Sequence, residues 1–76
     1  MTNTEKKEKV LQQIERYISM MTRENDESAL VGEIQYIEGM VESMFLLGFI
    51  TPKEKEEIRK KAVGTFGEQA NMLSKR

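Results

Sequence analysis

The positions Leu30, Ile34, Ile37, Val41, Met44 and Gly48 follow one another at alternating steps of four and three. On an α-helix this spacing draws one seam along one side, and a seam of that kind is stable only when another helix covers it. The pattern stops at Leu46-Leu47-Gly48-Phe49-Ile50-Thr51-Pro52, and a strongly charged stretch follows. The chain must therefore supply its own covering helices, which makes the fold class all-α. The seam also reads as an interaction surface, since it carries no reactive group.

At 76 residues the chain has room for a single small helical domain, residues 1–76. A domain of this size hides only about 60% of the surface its unfolded chain exposes, so it needs reinforcement. With no cysteine there is no disulfide, and with no histidine either the usual ligands of zinc, haem and iron–sulfur clusters are absent. No cofactor is expected. Long packed helices and self-association are the reinforcements left. Twelve basic against thirteen acidic residues leave a net charge of −1, which does not mark a polybasic nucleic-acid binder. The segment Val10 to Met21 is interrupted by Gln, Glu and Arg, and Met40 to Ile50 is short and contains Glu42. Neither reads as a signal peptide or membrane span, so the expectation is a soluble cytoplasmic protein with no membrane contact.

Three helices are predicted. The first covers about residues 4–23: Thr2 and Glu5 have capping-box spacing, and Val10, Leu11, Ile14, Tyr17, Ile18 and Met21 form a broad apolar stripe. The polar run Arg23 to Ser28 is the turn, with Asn25, Asp26 or Ser28 as the next N-cap. A second helix covers about 27–47, antiparallel to the first, with Gly48 closing it. Gly32 and Gly39 lie inside it at about 1 kcal/mol each, which implies either a strong seam or another backbone close by. Phe45, Leu46, Leu47, Phe49 and Ile50 are expected to form the densest part of the core. Thr51, Pro52 and Glu54 then start a third helix of about 52–74, packed across the open side of the hairpin. Its pairs Glu56/Lys60 and Glu57/Lys61 have helical ion-pair spacing, and Ile58, Ala62, Phe66, Ala70 and Leu73 could face inward. Gly64 and Gly67 allow a kink or break at 64–67; a continuous or slightly kinked helix is expected.

Catalytic chemistry has little to build on. Ser28 and Ser43 have no lysine at a local spacing, and no thiol or imidazole is present, so the chain reads as a non-enzyme. The acidic turn Glu24-Asn25-Asp26-Glu27 lacks the alternating ligands of a calcium loop, and reads as a solvated loop with a helix cap. Gly64-Thr65-Phe66-Gly67 does not lead into Gly-Lys-Ser/Thr and is no phosphate loop. Lys53, Lys55, Arg59, Lys60 and Lys61 could contact nucleic acid, but Glu54, Glu56 and Glu57 lie among them, as on an ion-paired solvated face.

Methionine and aromatic residues point elsewhere. Met20, Met21, Met40, Met44 and Met72 suit either a core or an adaptable contact surface. Helix two has apolar residues outside its seam, and Tyr36, Met40 and Leu47, at four- and seven-residue steps, are the expected partner or dimer interface. The stretch from Leu46 to Lys61 resembles the Gly-x-Ile-Thr helix junction of short C-terminal (SHOCT-type) segments. With the Tyr36 to Met40 run before it, the chain also resembles small helical proteins of phages and integrative elements of Gram-positive bacteria. The resemblance implies a helical interaction module of mobile-element origin and transfers no catalytic residue. The function expected is that of a small adaptor, regulator or inhibitor acting on another protein or on itself, in the latter case as a homodimer. The alternatives are a nucleic-acid-binding accessory factor using the lysines of helix three, or a purely structural homo-oligomer.

Overall fold

Each helix begins where a side chain takes up an amide that the first turn leaves without a partner. A computed structural model describes residues 2–75 as α1 Asn3–Met21, α2 Glu27–Leu46 and α3 Pro52–Ser74. The Thr2 hydroxyl accepts the Glu5 N–H at 3.1 Å, and the Asp26 carboxylate accepts the Ser28 N–H at 3.1 Å. At α3 the arrangement is reciprocal: Thr51 Oγ1 accepts the Glu54 N–H at 3.1 Å, while Glu54 Oε1 accepts the Thr51 N–H at 2.9 Å. Pro52 occupies the first turn, where its missing N–H costs nothing. The Thr51 amide, then Lys7, holds the Glu54 carboxyl below the ordinary carboxylate range.

The end of α2 is equally specified. Gly48 has φ +79°, its N–H donates to the Phe45 carbonyl at 3.0 Å, and the Phe49 N–H donates to the Met44 carbonyl at 2.9 Å. These two bonds make a Schellman motif, which needs a residue at ease in the left-handed region. It turns the chain so that Ile50 joins the core and Phe49 packs against it.

Five of the six predicted seam positions are buried: Leu30, Ile34, Ile37, Val41 and Met44 face Ile14, Ile18 and Met21 of α1 and Ala62 and Leu73 of α3 in one cluster, while Gly48 is exposed where the helix has ended. Three polar contacts tie α1 and its following turn to α3: Lys7 to Glu54 at 3.1 Å, Glu15 to Lys61 at 2.7 Å, and the Glu24 carbonyl to Gln69 Nε2 at 2.7 Å. The partners advance together in both segments, so α1 and α3 run parallel and α2 runs antiparallel to both. The result is an up-down-up bundle with Cα extents of 45 × 22 × 14 Å.

Some local expectations are corrected. Leu46 and Leu47 do not enter the core; they are 74% and 71% exposed, because the helix ends there and the Gly48 turn carries Phe49 and Ile50 inward instead. Lys61 reaches across to Glu15 and not along its own helix to Glu57. α1 ends at Met21, two residues early, whereas α3 is unbroken through Gly64 and Gly67, as the expectation of a continuous helix had it. Gln69 is buried, which the apolar spacing of α3 did not indicate; its amide is used on the Glu24 carbonyl.

Two glycines should respond to alanine with opposite signs. Gly48→Ala forces a side chain into the left-handed region and should lower the unfolding free energy by about 1–2 kcal/mol. A Cβ on Gly64 meets nothing within 4 Å, so Gly64→Ala should raise it by up to about 1 kcal/mol. Urea denaturation of the two variants beside the parent measures both.

Candidate interaction surface on α2

With the seam turned inward, the helical repeat places Gly32, Tyr36, Gly39, Ser43 and Leu46 along the opposite side of α2, and all five are exposed. Helices of small domains ordinarily carry charge on that side. Here no charged residue stands on the line.

On the flank toward α1, this ridge descends into a groove of about 470 Å³ lined by Val10, Tyr36, Met40, Met44, Leu47 and Phe49. Tyr36, Met40 and Leu47, singled out from their spacing, therefore line one depression. Tyr36 is 48% exposed, and its ring stacks on Tyr17 of α1 with centroids 4.5 Å apart and planes 29° off parallel. Tyr17 thus holds Tyr36 at the groove edge. Leu46, expected in the core, instead extends the exposed apolar surface beside Leu47.

The flank toward α3 is polar. Gln35, Glu38, Glu42, Lys55 and Arg59 line a depression of about 440 Å³, in which Lys55 Nζ lies 2.6 Å from Glu42 Oε2 and 4.4 Å from the centre of the Phe45 ring. The five basic residues of α3 are consequently dispersed. Lys55 is engaged with Glu42 and Phe45, and Lys61 with Glu15, while Lys53, Arg59 and Lys60 are exposed. They form no continuous cationic face.

The glycines of the ridge have no explanation within the chain. A Cβ built on Gly32 or Gly39 meets nothing within 4 Å. The strong-seam and close-backbone explanations are thus separated: no backbone of this chain approaches either residue.

A second polar feature lies at the α1–α2 turn. Glu24 Oε1 accepts the N–H groups of Asn25 and Asp26, each at 3.2 Å, and Glu33 beside it, then these amides, hold its carboxyl below the ordinary range. Glu33 is half-buried, its Oε2 is sealed from solvent, and loss of hydration beside the Glu24 carboxylate raises its pKa to about 7. A protonated Glu33 donates to Glu24 where two carboxylates would repel. The signal in the sequence was positional: Glu33 stands three residues after Leu30 and four before Ile37, at the edge of the seam. Among the described residues no three acidic side chains converge as metal ligands, and no helix is long and apolar enough to cross a membrane.

Comparison of the chain with protein-family profiles, curated protein sequences and solved structures finds no match.

The carboxyl pair predicts a pH dependence of stability. A carboxyl whose folded-state pKa is raised binds more protons when folded, so its contribution is present below about pH 4.5 and is lost as pH rises through about 7. Glu24 acts in the opposite sense, and its contribution is lost only on acidification below its ordinary range. Glu33→Gln keeps a donor toward Glu24 at every pH. It should melt higher than the parent at pH 8 and show a flatter dependence between pH 5 and 8 in thermal unfolding followed by circular dichroism.

Proposed function

We propose that this chain is a non-enzymatic protein–protein interaction module, a small adaptor, regulator or inhibitor that works by docking a partner along α2. The observation that carries this reading is the two-sidedness of α2: the seam fills the core, and the opposite side presents Tyr36, Leu46 and Leu47 to solvent beside the Met40 groove. Full burial of a large apolar side chain is worth roughly 1.5–3 kcal/mol, so a partner covering these residues gains several kcal/mol before the costs of association. A helix laid into a groove is the recognition mode that this shape suits.

The residue inventory supports the non-enzymatic part of the reading. There is no histidine or cysteine, and Ser28 and Ser43 have no lysine at a local spacing. The mobile-element reading, with inhibition of a host enzyme as its sharpest form, rests on the resemblance of the helix junction. The nucleic-acid reading draws less support, because the engagement of Lys55 and Lys61 with acidic side chains leaves fewer charges for phosphates.

The test is the pair of substitutions Met40→Glu and Leu47→Glu in one chain. Both positions face the groove, so the variant should keep the parent's helical circular dichroism spectrum while losing stoichiometric polypeptide partners, its own copies included, in affinity capture. Equal retention by parent and variant would remove α2 as the docking face.

A further inference from the structure

We infer that the α2 ridge is built to receive α2 of a second copy of this chain, antiparallel across a twofold axis; the inference rests on the reading of α2 as a docking face. The argument is the order of side-chain sizes. When two identical helices pack antiparallel about a twofold between residues 39 and 40, each residue lies opposite the one whose number brings the pair to 79. Leu47 then faces Gly32, Tyr36 faces Ser43, and Met40 faces Gly39. At these three levels a large side chain meets a small one, in both directions, as an isologous contact demands, while Leu46 is level with Glu33 and lies to the side of the contact.

This register accounts for the ridge glycines. Each helix-interior glycine costs about 1 kcal/mol relative to alanine, and neither Gly32 nor Gly39 has an intrachain neighbour to justify that cost. Opposite Leu47 and Met40 they become the holes into which those side chains fit, and they let the two helix axes approach to about 8 Å.

The flanks favour the same orientation. An antiparallel twofold in the contact plane keeps like flanks together, so the apolar groove of one copy borders the apolar groove of the other. A parallel twofold would set that groove against the polar flank and would oppose Tyr36 to Tyr36 and Leu47 to Leu47. The polar flank carries Glu38 and Glu42 with Lys55 and Arg59, two charges of each sign, so two such flanks side by side carry no net repulsion. The net charge of −1 adds little more.

One helix from each copy is a contact smaller than the roughly 1,200 Å² total of stable complexes, so association in the micromolar range is expected. Sedimentation equilibrium from about 5 to about 500 µM should show a monomer–dimer equilibrium. Gly39→Gln adds bulk in space that is open within the chain; it should keep the helical spectrum and weaken the dimer at least tenfold. The chain has no native cysteine, so orientation can be read by oxidation of single substitutions. In this register the two copies of residue 40 are offset by roughly 1.5 Å along the helices and those of residue 43 by roughly 10 Å. Met40→Cys should therefore form a disulfide dimer readily, and Ser43→Cys should not, since about 7 Å between Cα atoms is the limit for a bridge.

A parent chain that stays monomeric throughout, a dimer undiminished by Gly39→Gln, or cross-linking of Ser43→Cys equal to that of Met40→Cys would overturn the inference. A monomer that still captures a foreign polypeptide through Met40 and Leu47 would leave the docking reading standing and remove only the second copy as its occupant.

Discussion

Burial of the α2 seam between two flanking helices is the interaction on which the rest of this molecule depends. Leu30, Ile34, Ile37, Val41 and Met44 belong to one helix, and neither α1 nor α3 has an apolar stripe of comparable completeness. Each flanking helix contributes two or three fully buried residues and completes its face with half-buried ones such as Val10, Leu11, Ile58 and Phe66. The central helix is therefore the common wall of both interfaces. In a domain of this size, without a disulfide or a histidine–cysteine metal centre, that shared wall is the largest single contributor to the buried apolar core.

Polar chemistry then fixes how the helices meet. The capping box at Thr51 and the Schellman motif at Gly48 sit three residues apart and together set the direction in which α3 departs. At the other end, the amide of Gln69 holds a turn carbonyl, while Glu24 satisfies two turn amides. Between these ends the ion pairs Lys7–Glu54 and Glu15–Lys61 bridge partly or largely exposed side chains, where solvent screening leaves them little net energy. Their contribution is chiefly to alignment, since each is satisfied only in one register of α3 against α1.

Much of this was legible in the sequence because it is written locally. Helix starts depend on residues two or three apart, the α2 end on one glycine, and the seam on a repeat within one segment, so Thr51, Gly48 and the Leu30 to Met44 series could be read without knowing the neighbours. What was not legible depends on distant residues. The partners of Lys61 and Gln69 lie 46 and 45 positions away, and the closing of Glu33 against Glu24 depends on how the turn folds back. Leu46 and Leu47 were misplaced for a related reason: apolar character alone does not tell a residue that continues into the core from one that stands just where the chain turns away. Tyr36, Met40 and Leu47 could be grouped by spacing, but the groove they line is completed by Val10 and Phe49 from other segments.

The short links at residues 22–26 and 47–51 also bear on how the chain finds this arrangement. Neighbours in sequence are neighbours in space, so each helical hairpin closes a small loop at little entropic cost, and low contact order goes with rapid folding. Because α2 is the shared wall, either hairpin can form first and offer the remaining half of the seam as a template. The bonds that span some 45 positions, from Lys7, Glu15 and Glu24 to α3, close much longer loops and carry a larger loop entropy than either hairpin.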